Sequence, residues 1–330
     1  MEKLFLYSIS ILMIVSSCED KNQINLETKL INLLDSDDIS GIDGFDTNGD
    51  AELDFETGLE TQGNYRVLSD TLFYEEGYKI RFGRRITNSN RTVEFEIGSD
   101  TAIGTVTYNI NGVLNVKAFD TTDNVQIDSM SFSKEFSTNF IRKVRFVQID
   151  NSNDPDGDNW AINAFTPLVG GSGDKVTISS ISIYELTDAM EAGALLYQFN
   201  ADGIESLFIN RDSLPVFTAY LPYLIEVSVN NTGPELSIDT TNVGEWVFKN
   251  YGRRFNMRGR KHLNDKGAIL DSIANDNIHT GGWRAHGPGF GLQQRGFRSF
   301  FETVDLATIF VEDGGYNTSI WSIPYKTQRP

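Results

Sequence analysis

The sequence is poor in cysteine, and this limits how the chain can be stabilised. Cys18 is the only cysteine among 330 residues, so no disulfide bond can form within the chain. Stability must then come from packed apolar area, for which a content of 39% hydrophobic and 12% aromatic residues is sufficient. At this length a single core usually divides, which predicts two domains.

Basic residues are also scarce. The chain has 28 lysines and arginines against 46 acidic residues, and its formal net charge is −18. Because a protein that binds nucleic acid needs a basic surface against the phosphates, this charge argues against a nucleic-acid partner. Thirteen acidic residues and only two lysines lie between Glu19 and Glu60, whereas residues 241–330 carry twelve basic and eight acidic residues. We therefore expect residues 18–62 to form an acidic tether.

Long hydrophobic runs are absent after residue 18. The one apolar run, Leu4 to Val15, is too short to span a bilayer and has the length of the apolar part of a secretory signal. It leads into Val15-Ser16-Ser17-Cys18, which resembles the lipobox of bacterial lipoproteins, where the cysteine is acylated and the chain is cut before it. A plain secretory signal with an incidental cysteine, or a buried N-terminal helix, would also fit these residues.

The lipobox resemblance implies a cellular location for the protein. Residues 1–17 would be the lipoprotein signal peptide, and a lipid on Cys18 would hold the mature chain to a membrane. The pair Glu19-Asp20 resembles the export signals of surface lipoproteins in Bacteroidetes-type bacteria. We therefore expect the protein at the bacterial outer membrane or cell surface.

Hydrophobic periodicity predicts the fold class. Val93, Phe95 and Ile97 alternate with polar residues, and the same period of two recurs along the rest of the chain. This pattern predicts an all-β protein with two antiparallel β-sandwich domains in tandem, of jelly-roll or Ig-like type, at residues 63–190 and 191–330. A looser helical period over residues 24–34 predicts one short helix in the tether.

Four local features have specific predictions. Asn111-Gly112, between alternating runs, is typical of a two-residue hairpin turn. A change of phase at Ser179-Ser180 predicts a β-bulge. Residues 307–311 read as a strand, and residues 253–294 read as a long irregular insert rich in glycine and arginine.

Two Asp-rich segments are candidate calcium sites, and calcium is the only cofactor that the sequence indicates. In the first, side-chain oxygens alternate as in EF-hand and dockerin loops, although Ala51 and Thr57 depart from that pattern. The second contains Asp-x-Asp-Gly-Asp, which is shared with thrombospondin type 3-like loops. A solvated acidic tether and an Asx-rich turn are the structural alternatives. The candidate ligands are Asp46, Asn48, Asp50 and Asp54 in the first segment and Asp154, Asp156 and Asp158 in the second.

The insert holds all three histidines and a candidate ligand-binding group, formed by His279, Trp283, Arg284 and His286. These residues would suit a metal site, an anionic ligand, or a sugar that stacks on Trp283. The alternative is structural, with the tryptophan and histidines packed against a sheet. The sequence has neither a His-Glu-x-x-His motif nor a Gly-x-Ser-x-Gly motif to indicate a hydrolase.

Two functions follow as hypotheses. The first is a non-catalytic envelope lipoprotein that acts as a binding or structural module, with a glycan or an envelope protein complex as its partner. The alternative is an envelope hydrolase that uses histidine and arginine side chains of the insert. Convergence of His279, Arg284 and His286 with an acid in one pocket would favour the hydrolase. Trp246 and Trp321 lie in strand patterns, so we expect them in the core rather than at a ligand.

Overall fold

The computed structural model describes residues 25–42, 59–60, 78–120, 127–149, 159–238, 241–253, 257–310 and 315–330. Antiparallel strands account for most of these residues, which confirms the predicted all-β class. The helical segments are α1 (25–36) and α2 (Ala307–Phe310), with short 3-10 turns at Ile204–Ser206 and Arg211–Ser213. Among the helices of the described residues, none has the length and apolar character needed to cross a membrane.

The strands fall into one large sheet, one small sheet and a separate two-stranded ribbon. The strands are β1 (Leu59–Glu60), β2 (Tyr78–Ile97), β3 (Thr101–Asp120), β4 (Ile127–Ile149), β5 (Asn159–Phe165), β6 (Leu168–Ser172), β7 (Val176–Leu186), β8 (Ala192–Asn200), β9 (Ile209–Asn210), β10 (Val216–Thr218), β11 (Pro222–Asn231), β12 (Leu236–Ile238), β13 (Thr241–Val243), β14 (Glu245–Arg253), β15 (Met257–Leu263), β16 (Ile278–Arg284), β17 (Gln294–Asp305) and β18 (Thr318–Gln328).

The large sheet has twelve strands, and its main path runs β1-β2-β3-β4-β6-β18-β17-β14-β15. β5 and β9 extend it beside β4, and β10 pairs in parallel with β18. The small sheet has the order β16-β11-β7-β8, and β12 pairs with β13. Each of the two larger sheets contains strands from both sides of residue 190, the expected domain boundary, so in each sheet hydrogen-bonded strands link the two halves of the chain.

The central strands of the large sheet are buried on both faces. Because alternate residues of a strand point to opposite faces, Phe300 and Phe301 enter two different hydrophobic clusters. One cluster lies between the large sheet and the small sheet, and it includes Val227 of β11 and Trp321 of β18. The other lies on the opposite face and includes Leu30 of α1. The prediction that Trp246 and Trp321 are core residues is confirmed.

The short helix predicted in the tether exists as α1, and it packs against the large sheet. Leu30 and Leu34, one turn apart, are buried together with Ile39 and Ile42. The fully buried Arg142 donates to the carbonyls of Ile39 and Ser40, each at 3.1 Å. Residues 25–42 are therefore part of the fold, because their apolar side chains have a sheet to cover.

The hairpin turn predicted at Asn111-Gly112 is wrong. β3 continues through both residues, with β2 on one side and β4 on the other. Asn111 keeps the outward position of the strand, so the alternation of buried residues is not interrupted. Gly112 meets a need for space, since a Cβ there would lie 2.7 Å from the ring of Phe136. The close approach of the neighbouring strands therefore explains this glycine better than a turn does.

Three further local predictions have clear outcomes. The bulge is confirmed: Ser180 faces Ser228 and Ile178 faces Val229, so Ser179 has no opposite residue. The strand expected from residue 307 is wrong, because residues 307–310 form α2. The segment 253–294 contains β15 and β16, so it is not irregular throughout as expected; these two strands pair antiparallel with β14 and β11.

Several candidate site residues lie outside the described part of the chain. These are the lipidation residue and both sets of calcium ligands, namely Cys18, Asp46, Asn48, Asp50, Asp54, Asp154, Asp156 and Asp158.

Candidate functional site

Strand β16 positions three of the four residues predicted at the ligand site. It pairs with β11, so that His279 lies opposite Val227 and Trp283 lies opposite Tyr223. His279 and Trp283 are four positions apart on one face of the strand, and both are buried. Arg284 follows on the other face and is exposed. The strand therefore sends its predicted site residues into different environments.

Trp283 lies in the core between the two sheets. Its ring meets Phe217 edge-on with centroids 4.8 Å apart, and it meets Tyr325 edge-on at 5.2 Å. Tyr223 packs at 5.7 Å. In this position the indole has no face open to a sugar, so the stacking platform expected on Trp283 is not present. The structural alternative describes this residue correctly.

A lysine that the sequence analysis did not consider is buried beside Trp283. The Nζ atom of Lys249, on β14, lies 4.5 Å from the centroid of the indole ring. Burial, together with a smaller effect of the charge of Lys261, lowers the pKa of Lys249 to about 7. Lys249 follows the apolar residues Trp246-Val247-Phe248, and this position in a buried strand was its only sequence signal.

At the start of β16, His279 lines a cavity of about 110 Å³ between the ends of the two sheets. Glu245 comes from the first position of β14, and Asp265 comes from the connection between β15 and β16. One potential ligand atom from each of Glu245, Asp265 and His279 lies within 4.8 Å of the other two. We call these three residues the His279 cluster. Its two acids had no sequence motif, because they are brought to His279 only by the packing of the sheets.

Hydrogen bonds hold Glu245 in an ionised state. His279 Nε2 lies 3.1 Å from Glu245 Oε1, and Asn231 donates to Oε2 at 2.9 Å. Burial alone would raise the pKa of Glu245, but the bonds from His279 and Asn231 outweigh it and lower that pKa. Because an ionised carboxylate only accepts, His279 Nε2 carries the proton in the neutral ring. His279 Nδ1 is buried and has no hydrogen-bond partner among the described residues.

Asp265 behaves differently from Glu245. Its two oxygens accept the backbone N–H groups of Asp276 and Asn277, at 3.3 and 3.2 Å. Burial nevertheless raises the pKa of Asp265, although His279 and these two bonds act in the opposite direction. The backbone bonds also fix Asp265 in place, since they tie both ends of the β15–β16 connection together.

The far end of β16 belongs to an exposed surface. Arg284 Nε donates to the carbonyl of Tyr220 at 2.7 Å, and the Tyr220 N–H donates to the carbonyl of Ala285 at 2.9 Å. His286 packs near Phe297, with ring centroids 6.3 Å apart. Phe290 is fully exposed, and Tyr220 is 59% exposed. We call Tyr220, Arg284, His286 and Phe290 the aromatic surface.

The predicted group therefore does not converge. His279 lines the cavity with two acids, Trp283 lies in the core, and Arg284 and His286 belong to the aromatic surface. The geometry that would have favoured a hydrolase built on His279, Arg284 and His286 is not formed. The structure adds Glu245, Asp265, Tyr220 and Phe290, which sequence reasoning had missed.

Comparison with known proteins gives no relative from which a role could be transferred. No family model, no curated protein and no solved structure matches this chain.

Proposed function

We propose that the protein is a lipid-anchored, non-catalytic binding module of the bacterial envelope, and that it binds glycans through the aromatic surface. The anchor part of the proposal rests on the lipobox-like residues before Cys18. Packing of the small sheet on the large sheet supports a sandwich scaffold. The jelly-roll and Ig-like assignments, and the surface-facing location, stay predictions.

The single observation that carries glycan binding is the exposure of two aromatic rings beside two polar side chains. Sugars present apolar ring faces together with hydroxyl groups, so they are bound by aromatic side chains with a few polar groups around them. Here Phe290 and Tyr220 supply the aromatic side chains, and Arg284 and His286 supply the polar groups. Single exposed apolar residues are normal, but here Tyr220 is bonded through its carbonyl to Arg284 at the end of β16, and Phe290 follows that strand end six residues later in the chain.

The backbone of Tyr220 supports a role for this surface. Its φ angle is +68°, in the left-handed region that a bulky residue rarely adopts. Bonds to Arg284 and Ala285 hold this conformation, and Gly287 leaves room for the tyrosine hydroxyl, with which a side chain would collide. Strain of this kind concentrates where a side chain has to be presented to a ligand.

A glycan array followed by calorimetry on the detergent-solubilised mature chain tests the proposal. We expect binding of at least one glycan class, and we expect Phe290→Ala and Tyr220→Ala each to weaken it about fivefold, since an aromatic stacking contact is worth about 1 kcal/mol. The matched control is Leu195→Ala, which removes another exposed apolar side chain, from β8. An array without a binder above background contradicts the proposal, as does binding that both aromatic variants retain.

The anchor is tested separately in cells. Cys18→Ser should release the protein from the membrane fraction, because the thiol is the acylated atom in a lipoprotein. Ser17→Ala retains the cysteine and serves as the control, with membrane retention expected. A Cys18→Ser protein that stays with the membrane would contradict a lipid anchor on Cys18.

A further inference from the structure

We propose that the His279 cluster, Glu245, Asp265 and His279, binds a divalent transition-metal ion of the Zn²⁺ class. The inference is independent of the glycan proposal, since it concerns the cavity at the opposite end of β16. Its basis is the convergence of one imidazole and two carboxylates, from three separate parts of the chain, on one cavity.

The distances suit such an ion. Zinc binds histidine nitrogen and carboxylate oxygen at about 2.0–2.2 Å, so two ligand atoms on one ion are at most about 4.4 Å apart. The atoms of the cluster lie within 4.8 Å of one another, so only a small inward movement is needed. An imidazole among the ligands favours a transition metal over calcium, which prefers oxygen ligands alone.

The imidazole of His279 provides an independent indication of a ligand. The side chain is 2% exposed, it lines the cavity, and its Nδ1 has no hydrogen-bond partner among the described residues. A buried ring nitrogen without a partner is rare in native proteins, so this imidazole is a candidate ligand in either tautomer. An ion bound by the cluster would take the place of the Nε2 proton, because Nε2 is the nitrogen that faces Glu245, at 3.1 Å from Oε1, and the ring proton would then lie on Nδ1.

The surroundings resemble the support that metal ligands usually have. Asn231 bonds one oxygen of Glu245, and backbone N–H groups bond Asp265, so each carboxylate is fixed by groups outside the cluster. The charged side chains that line the cavity are Glu235, Glu245, Asp265 and Lys266, three acids against one base, which favours a cation.

A neighbouring acidic cluster is not part of the proposed site. Asp271 and Asp276 also approach Asp265 to within 4.8 Å. However, Asp271 accepts the N–H of Gly267 at 2.6 Å, and Asp276 accepts the N–H of Ile278 at 3.0 Å. These two carboxylates are used to hold the β15–β16 connection in shape, and through it they hold Asp265.

The test is a Zn²⁺ titration of the mature, detergent-solubilised full chain after treatment with a chelator, followed by calorimetry and by thermal unfolding. We expect saturable binding of one Zn²⁺ by the cluster and a higher unfolding midpoint with the metal. Asp265→Asn and His279→Gln should each weaken this binding at least tenfold. Asp188→Asn, in the exposed turn between β7 and β8, is the matched control and should bind like the parent.

The outcomes separate cleanly. Absence of saturable Zn²⁺ binding overturns the proposal, and so does parental binding by both cluster variants. If His279→Gln fails to fold, Asp265→Asn decides alone, because asparagine keeps the size of aspartate and an oxygen for one of the two backbone bonds. Loss of Zn²⁺ binding with unchanged glycan binding would also show that the two sites are independent.

Discussion

The two ends of β16 lie in very different surroundings, although both carry residues of the kinds that are common at ligand sites. At its start, His279 is buried in a polar cavity and shares a hydrogen bond with Glu245 of the large sheet. At its end, Arg284 is exposed and bonds the backbone beside Tyr220. Between them, Trp283 is sealed in the core. One seven-residue strand thus contributes residues to a cavity, to the core and to the surface.

This difference shows that residue type alone did not decide the role of each side chain. Histidine, tryptophan and arginine are all common at ligand sites, and all three occur here within six residues. The surroundings of these three side chains differ because the large sheet packs on only one face of β16 and does not extend over the whole length of the strand. Four predictions test the separation, from the largest expected effect to the smallest.

Replacing the tryptophan in the middle of the strand should have the largest effect. Trp283→Ala removes an indole packed against Phe217 and Tyr325, and we expect a loss of about 3–5 kcal/mol in the free energy of unfolding. Urea unfolding at pH 7 measures it. Trp160→Ala, at a partly buried position, is the comparison and should lose less. A loss below about 1 kcal/mol would mean that Trp283 is not a core residue.

Lys249 should make the core between the ends sensitive to pH. Its pKa in the folded protein is about 7, below its ordinary 10.5, so between these values the unfolded chain binds more protons and stability rises with pH. From pH 7 to 10 the rise from this group is about 3 kcal/mol, at about 1.4 kcal/mol for each pKa unit.

The lysine effect can be isolated by substitution. Lys249→Met should remove that part of the rise in urea unfolding curves between pH 7 and 10. Lys134, whose pKa burial lowers to about 8, retains its smaller share in this variant. If stability depends on pH identically in the parent and in Lys249→Met, the buried Lys249 does not have the lowered pKa given above.

At the cavity end we expect a smaller loss. Glu245→Gln replaces an ionised carboxylate bonded by His279 and Asn231, which should cost about 2 kcal/mol in unfolding free energy at pH 7. Because the folded pKa of Glu245 lies below its ordinary value of 4.5, its contribution is fully present above about pH 4.5 and is lost as the pH falls through the folded pKa. The variant should therefore lose stability less steeply with acid. Glu235→Gln, exposed at the same cavity, should match the parent in both measurements.

At the surface end we expect the smallest change in stability. Phe290→Ala removes a side chain that is fully exposed, so the unfolding free energy should stay within about 0.5 kcal/mol of the parent. The contrast with Trp283→Ala, at an aromatic residue seven positions earlier, is the sharpest form of the comparison. A loss above 1 kcal/mol would show that Phe290 packs against the protein rather than facing a ligand.

Sequence patterns predicted those features that depend on neighbours along the chain. Leu30 and Leu34, one helical turn apart, indicated α1, and the phase change near Ser179 indicated the bulge that the structure contains. The turn predicted at Asn111-Gly112 is absent because pairing with strands on both sides outweighs the local turn preference of these two residues. Residues 307–310 misled because a short apolar run suits a strand and a buried helix equally.

The candidate site was harder to predict for a related reason. His279 was found by residue type, but Glu245 lies 34 residues away on a strand of the other sheet, and no spacing rule connects them. Tyr220 and Phe290 were missed because the exposure of a side chain depends on tertiary packing, which no local sequence pattern encodes.

The sequence by itself determined the all-β class, the dependence on apolar packing without disulfides and the buried positions of Trp246 and Trp321, because these follow from composition and from a period of two. Only the tertiary structure decided the fate of the residues on β16. Alternation gives a strand two faces, but it does not say which face another sheet will cover. The packing of the two sheets therefore placed Trp283 inside, His279 beside two acids and Arg284 at the surface.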